Sequence, residues 1–122
     1  MNTKLRNGLA VAGIAVVGIV GIALPASAND EKPFTVAGFC GWDPGTDGGT
    51  YGHAYGHANV RSGPGAHCDR RGGAEPQDSL HYRCYAAAAD GSTWTYVTDE
   101  RTWLTGWIRD TYLSGGGSYT HC

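Results

Sequence analysis

Leu80-His81-Tyr82-Arg83-Cys84-Tyr85-Ala86 alternates at a period of two. That period marks a strand, because successive side chains of extended backbone point to opposite sides. Plain alternation places Leu80, Tyr82, Cys84 and Ala86 on one face, and His81, Arg83 and Tyr85 on the other. Just downstream, Asp90-Gly91 is a turn pair, and it leaves the alanine run 86–89 too short to stand as a helix. Beyond the turn, Thr93-Trp94-Thr95-Tyr96-Val97-Thr98 is dense in β-branched and aromatic residues, as a second strand is. Trp107-Ile108-Arg109 follows Gly106 as a third, and Tyr112-Leu113 reads as a short fourth. Upstream, Val60-Arg61-Ser62 is an extended piece running into the turn Gly63-Pro64-Gly65. Short strands separated by turn signals predict an all-β domain, a small barrel or sandwich. In the aromatic strands, one face is expected to fill the core and the other to reach the surface.

The N-terminus has a different character. Lys4 and Arg6 precede an apolar run from Leu9 to Leu24, which ends at Pro25-Ala26-Ser27-Ala28. A basic region, an apolar region and a small-x-small site in that order predict a signal peptide over residues 1–28, cut after Ala28. The run is about 16 residues and holds Gly13, Gly18 and Gly21, whereas a membrane-spanning helix needs roughly 20 apolar residues. The expected mature protein is secreted, extracellular or associated with the cell wall, with no membrane segment after cleavage.

Cleavage leaves 94 residues, near the lower limit for a core held by apolar burial alone. Among Val, Ile and Leu only Val36, Val60, Leu80, Val97, Leu104, Ile108 and Leu113 remain, beside all four Trp and all seven Tyr. The core is therefore expected to be built from rings and reinforced by cross-links. Loss of Lys4 and Arg6 takes the formal charge from −2 to −4, which argues against nucleic acid and anionic membranes as partners. Cys40, Cys68, Cys84 and Cys122 are even in number, and the nearest two are sixteen positions apart. In a small exported domain this spacing predicts two disulfides, with three pairings open, and excludes a clustered zinc site.

Residues 29–57 read as a polar, Gly-rich lead-in, and 58–122 as the barrel with a tethered C-terminal tail. The lead-in holds a tandem repeat, Tyr51-Gly52-His53-Ala54 and Tyr55-Gly56-His57-Ala58, too short for a solenoid. His53 and His57 could share a metal on a helix, but Gly52 and Gly56 oppose one. In a strand they stand about 13 Å apart, too far for one ion. No metal site or cofactor is expected. Ser, His and Asp occur in no ordered catalytic motif, so the domain reads as non-enzymatic.

Asn59-Val60-Arg61-Ser62-Gly63-Pro64-Gly65 resembles the opening of bacterial SH3 domains. Their later signals follow in order: the strand Leu80 to Cys84, Gly91 with Trp94 and Val97, Gly106-Trp107-Ile108, and Tyr112-Leu113. The resemblance spans about residues 58–113. It departs from the family pattern at Cys68-Asp69-Arg70-Arg71-Gly72-Gly73, where the second strand is hard to place, and at the long linker from Glu100 to Thr105. It implies an SH3-like barrel of five to six short strands in which Arg61, Ser62, Gly63, Pro64 and Gly106 have structural roles. The chain ends of such a barrel lie together, which implies the pairings Cys40–Cys122 and Cys68–Cys84.

The resemblance also implies a non-catalytic module that binds cell-wall peptidoglycan peptides through an aromatic groove. Tyr51, Tyr55, Trp94, Tyr96, Trp103, Trp107 and Tyr112 are the candidate lining residues. An adaptor or inhibitor acting on a secreted protein is the alternative, and a minimal cell-wall hydrolase a lesser one.

Overall fold

The computed structural model describes residues 38–122; the expected signal peptide at 1–28, and the chain up to residue 37, lie outside the described residues. Among the described residues six strands form one antiparallel sheet: β1 (Thr50–Gly52), β2 (Ala58–Arg61), β3 (Arg70–Ala74), β4 (Leu80–Ala87), β5 (Thr93–Asp99) and β6 (Thr105–Arg109). Their order across the sheet is β1-β4-β5-β6-β2-β3. The hard-to-place second strand is β3, which runs through Arg70-Arg71-Gly72-Gly73-Ala74. The expected strand at Tyr112-Leu113 is instead a 3₁₀ turn, Asp110–Tyr112, followed by a single bridge from Leu113 to Ala54. No helix among the described residues is long and apolar enough to cross a membrane.

Strand β4 does not keep one face throughout. Tyr82 pairs with Val97, but Cys84, not Arg83, pairs with Tyr96. A β-bulge at this point puts two residues opposite one, and one extra residue turns the strand over. Leu80 and Tyr82 therefore pack on the first face of the sheet with Val60, Val97, Ile108 and Leu113. Cys84 and Ala86 pack on the second face with Trp94, Tyr96 and Trp107. The plain alternation that joined all four β4 residues on one side is corrected by that bulge.

Both faces are covered. Trp94, Tyr96 and Trp107 are buried, Trp107 completely at 0% exposure, and Ile108 behind it is buried too. Nothing on β5 or β6 is left to present an aromatic row to solvent, so these three rings belong to the core and not to a groove. Segment 38–43 supplies part of the cover. Trp42 lies 5.4 Å from Trp107 between ring centroids, and its carbonyl oxygen accepts a hydrogen bond from Trp107 Nε1 at 2.8 Å. Asp43 accepts two hydrogen bonds from Arg71, at 2.8 and 3.3 Å, and one from the Tyr96 hydroxyl at 3.1 Å. Gly38 N donates to Ala87 O at 3.0 Å, and Gly41 N to Ser62 O at 2.8 Å. Residues 38–57, expected as a lead-in, thus contribute both a strand and a cover.

The disulfides pin these covers, and their pairing differs from the one implied by the family resemblance. Cys40 is bonded to Cys68, and Cys84 to Cys122. Cys40–Cys68 fastens segment 38–43 to the loop after β2. Cys84–Cys122 fastens the C-terminal segment to the middle of β4, where Cys122 packs against the aromatic cluster. The two ends of the described chain are each tied to the sheet rather than to one another. Gly63 admits the first tie, since a Cβ there would lie 2.5 Å from Cys40 Cα and 2.6 Å from Phe39 O. Pro64 is fully buried, and Arg61 closes the same loop by donating to Cys68 O at 3.1 Å. At Gly106 a Cβ would lie 2.6 Å from Arg61 O, where β6 passes β2.

Candidate functional site

The tandem repeat gains a physical reason in the fold. Gly52, Ala54 and Ala58 turn inward, and Ala54 and Ala58 join the aliphatic cluster. Gly52 rests on the Tyr82 hydroxyl, so that a Cβ would collide with that oxygen and reach 2.6 Å from Ser114 Oγ. Small side chains let this segment close over the core. Tyr51, His53, Tyr55 and His57 are left on the outside, all exposed.

These rings have separate partners. His53 meets Tyr55 edge-on at 6.1 Å between centroids, and Tyr55 N donates to Tyr112 O at 2.9 Å. Tyr51, 56% exposed, has one ring side stacked on His81 at 4.5 Å between centroids. His81 Nε2 in turn donates to Asp47 Oδ1 at 2.8 Å. Asp47 also accepts from Gly49 N at 2.8 Å and from Arg83 at 3.2 Å. The Gly49 amide first, then the His81 ring and Arg83, hold its carboxyl below the usual range, so it stays an anion. Tyr51 is therefore a fixed platform.

Two depressions adjoin strand β1. One, of about 290 Å³, is bounded by Thr50, Tyr51, Tyr82, Ser114, Tyr119 and Thr120. The other, more open and about 450 Å³, runs from Tyr51 and His53 to Pro76, Gln77 and Asp78. Tyr82, beside the first, is buried, and its hydroxyl is bonded to Ser114 O at 2.9 Å, Ser114 Oγ at 3.0 Å and His53 O at 3.3 Å. Burial pushes this phenol above its ordinary pKa, so it remains a neutral donor. The far wall is the segment 114–120. It is held by Tyr85 N to Thr120 O at 2.8 Å, by Ser118 N to Thr95 Oγ1 at 2.9 Å, and by the Cys84–Cys122 bond just beyond.

Of the seven candidate groove residues, Tyr55 and Tyr112 are neighbours through a backbone hydrogen bond, while Tyr51, exposed on the same segment as Tyr55, stacks on His81 instead. Trp94, Tyr96 and Trp107 are core. Trp103 stands apart at the tip of the β5–β6 loop, 73% exposed and with φ of 64°, a left-handed conformation uncommon for a bulky residue. Its loop is pinned on both sides by Trp103 N to Asp99 O at 2.7 Å and by the Arg101–Asp78 ion pair at 2.6 Å. Tyr119, Ser114 and Tyr82 were missed as site residues. Tyr119 follows a Gly run that reads as flexible, and Tyr82 reads as core, which it also is.

The two repeat histidines have separate neighbours: His57 Nδ1 lies 2.9 Å from Glu75 Oε2, while His53 lies against Tyr55. His67 lies beside Cys40 and Cys68, the only group of three metal-ligating side chains found together among the described residues. Both sulfurs there are committed to the disulfide, so they offer no thiolate.

Two disulfides are bonds that persist in an oxidising compartment, which suits a protein working outside the cytosol. Comparisons with protein-family models, curated proteins and solved structures find no match to this chain.

Proposed function

We propose that this is a secreted, non-catalytic SH3-like binding module that recognises cell-wall peptidoglycan through the tyrosine edge. The export signal at residues 1–28 and the Asn59–Gly65 resemblance supply the cellular setting and the fold family. The observation that carries the reading is the fixed, outward row of Tyr51, His53 and Tyr55, continued by Tyr112, beside two shallow depressions. Small barrels hold extended polymers in such aromatic-lined grooves, and rigid rings lose little entropy on contact. The polar tips of tyrosine suit a wetted, hydroxyl-rich surface.

The test is sedimentation of the oxidised protein with isolated sacculi. Co-sedimentation at micromolar protein without release of soluble fragments is the expected result. Protein remaining in the supernatant overturns the wall reading, and fragment release would make the protein a hydrolase.

A second reading is favoured by Trp103. An exposed Trp held in a constrained loop is the kind of side chain that anchors a protein interface. An adaptor or inhibitor would use that tip, and Trp103→Ala would abolish partner capture while leaving sacculus binding intact.

A further inference from the structure

Each disulfide has a histidine next to one of its cysteines in sequence, His67 before Cys68 and His121 before Cys122. The fold treats the two pairs differently. Cys84 is fully buried in the aromatic cluster, and the His121 ring lies against Tyr85. At the other bond, Cys40 and His67 are exposed, and the ligand atoms of Cys40, His67 and Cys68 lie within 4.8 Å of one another. None of these residues bounds either depression beside β1.

His67 is aimed at the sulfurs. Its ring is seated against Gly65, where a Cβ would lie 2.6 Å from His67 Cε1. Nε2 then stands 3.9 Å from Cys68 Sγ, and the ring has no other hydrogen-bond partner among the described residues. Zinc bonds of about 2.3 Å to sulfur and about 2.0–2.1 Å to nitrogen, at a tetrahedral angle, set the two ligand atoms about 3.6 Å apart. The imidazole is thus close to a ligating position.

The backbone that carries the sulfurs is held by bonds other than the disulfide. Gly41 N donates to Ser62 O at 2.8 Å, and Ser62 N donates to Asp69 O at 2.8 Å. Ser62 therefore clamps the neighbour of Cys40 to the neighbour of Cys68. Cys68 N donates to Gly65 O at 3.1 Å, and Arg61 Nη1 to Cys68 O at 3.1 Å. The two Cα atoms are 5.4 Å apart. Opening the sulfur–sulfur bond leaves two thiols and an imidazole converging on one point, and the guanidinium beside Cys68 favours the thiolate form.

We infer that Cys40, Cys68 and His67 form a latent zinc site, closed by the disulfide and opened by a dithiol reductant. The dithiol gives up two electrons and two protons and closes to its own disulfide, leaving Cys40 and Cys68 as thiols. Zn²⁺ displaces both thiol protons to solvent, and His67 Nε2 supplies the third ligand as a neutral imidazole. Thiolates with imidazole select zinc over magnesium or calcium. Three protein ligands leave the fourth position to water.

The test is an anaerobic titration with Co²⁺, a spectroscopic stand-in for Zn²⁺, after reduction by a phosphine that does not compete for metal. A single Co²⁺ should bind with thiolate-to-cobalt charge-transfer absorption and be displaced by Zn²⁺. The oxidised protein should show no such absorption. His67 is exposed, so His67→Ala leaves the fold intact, and it should weaken binding at least about tenfold. Cys40→Ser with Cys68→Ser should abolish it.

Cobalt affinity that ignores His67→Ala overturns the inference, and so does equal binding by the oxidised protein. Binding that survives Cys40→Ser with Cys68→Ser puts the metal on Cys84 and Cys122 and overturns it too. If reduction unfolds the chain, Zn²⁺ should restore the dispersed amide spectrum, and its failure to do so has the same consequence.

Discussion

The first face of the sheet is packed by Val60, Leu80, Val97, Ile108 and Leu113, whereas the second is packed by Trp94, Tyr96 and Trp107 under Trp42. The first is closed by residues of the strands themselves, with Ala54 and Leu113 completing it. The second is closed by the two end segments, each fastened by a disulfide. End segments lose much entropy when they order and have few neighbours to hold them. Cross-links and large rings offset that cost where aliphatic strands are too few. The scarcity of Val, Ile and Leu is thus met on one face by concentrating them and on the other by substituting aromatics and sulfur.

Truncating the centre of the second face should give the largest loss. Trp107→Ala removes a fully buried ring and its hydrogen bond to Trp42, and should cost about 3–5 kcal/mol in denaturant unfolding. A loss under about 1 kcal/mol would mean that the second face is not a core at all. Leu80→Ala on the first face should cost about 2–5 kcal/mol while hydrogen exchange at the Gly38 and Gly41 amides stays as protected as in the parent. Cys84→Ser with Cys122→Ser should lower stability by about 2–4 kcal/mol, with exchange rising first in residues 118–122. Uniform loss of protection would show that the tail is not a separate cover.

The faces should also differ in their response to acid. Asp43 anchors the second-face cover, and its carboxyl is held low by the Arg71 hydrogen bond and, further, by that of Tyr96. A folded pKa below the unfolded one gives stability that is present above about pH 4 and lost as pH falls through the folded value. Asp99, at the end of β5, is fully buried with Oδ2 lacking a hydrogen-bond partner among the described residues. Burial, and then the neighbouring Asp78, raise its pKa, while Arg101 holds Asp78 well below the usual range. A raised carboxyl pKa has the opposite sign: stability falls as pH rises from about 4 through the folded value. Asp99→Asn should therefore raise the melting temperature at pH 7 and have no benefit at pH 3. Equal effects at both values would show that Asp99 does not titrate on folding.

The smallest effect concerns neither core. Trp103→Gly relieves a left-handed backbone at an exposed tip and should change stability by no more than about +1 kcal/mol. A loss above about 1 kcal/mol would show that this ring packs rather than displays.

Much of the strand pattern was legible. β2, β4, β5 and β6 stand where Val60-Arg61, the Leu80 run, the Thr93 run and Trp107-Ile108 predict them, because alternation and turn residues act locally. β3 was obscured, since Arg70-Arg71-Gly72-Gly73 has neither branched nor aromatic side chains and owes its extension to pairing with β2. The candidate site was half legible. Tyr51 and Tyr55 stood out as large rings among glycines, while the wall at Ser114 and Tyr119 lies in a tail that looks unstructured until Cys122 ties it down.

The sequence by itself determined that Leu80-His81-Tyr82 begins a strand, where the chain turns, and that four cysteines spaced too widely for a clustered zinc site suit two disulfides. Only the tertiary structure decided that the strand changes face between Tyr82 and Cys84, that both sides of the sheet are buried, and that Cys40 meets Cys68 and Cys84 meets Cys122. A period of two states which residues share a side only while the register is unbroken, and it never states what covers that side. Disulfide pairing likewise depends on which backbones approach within about 4.4–6.8 Å, a matter of spatial neighbours that spacing along the chain does not encode.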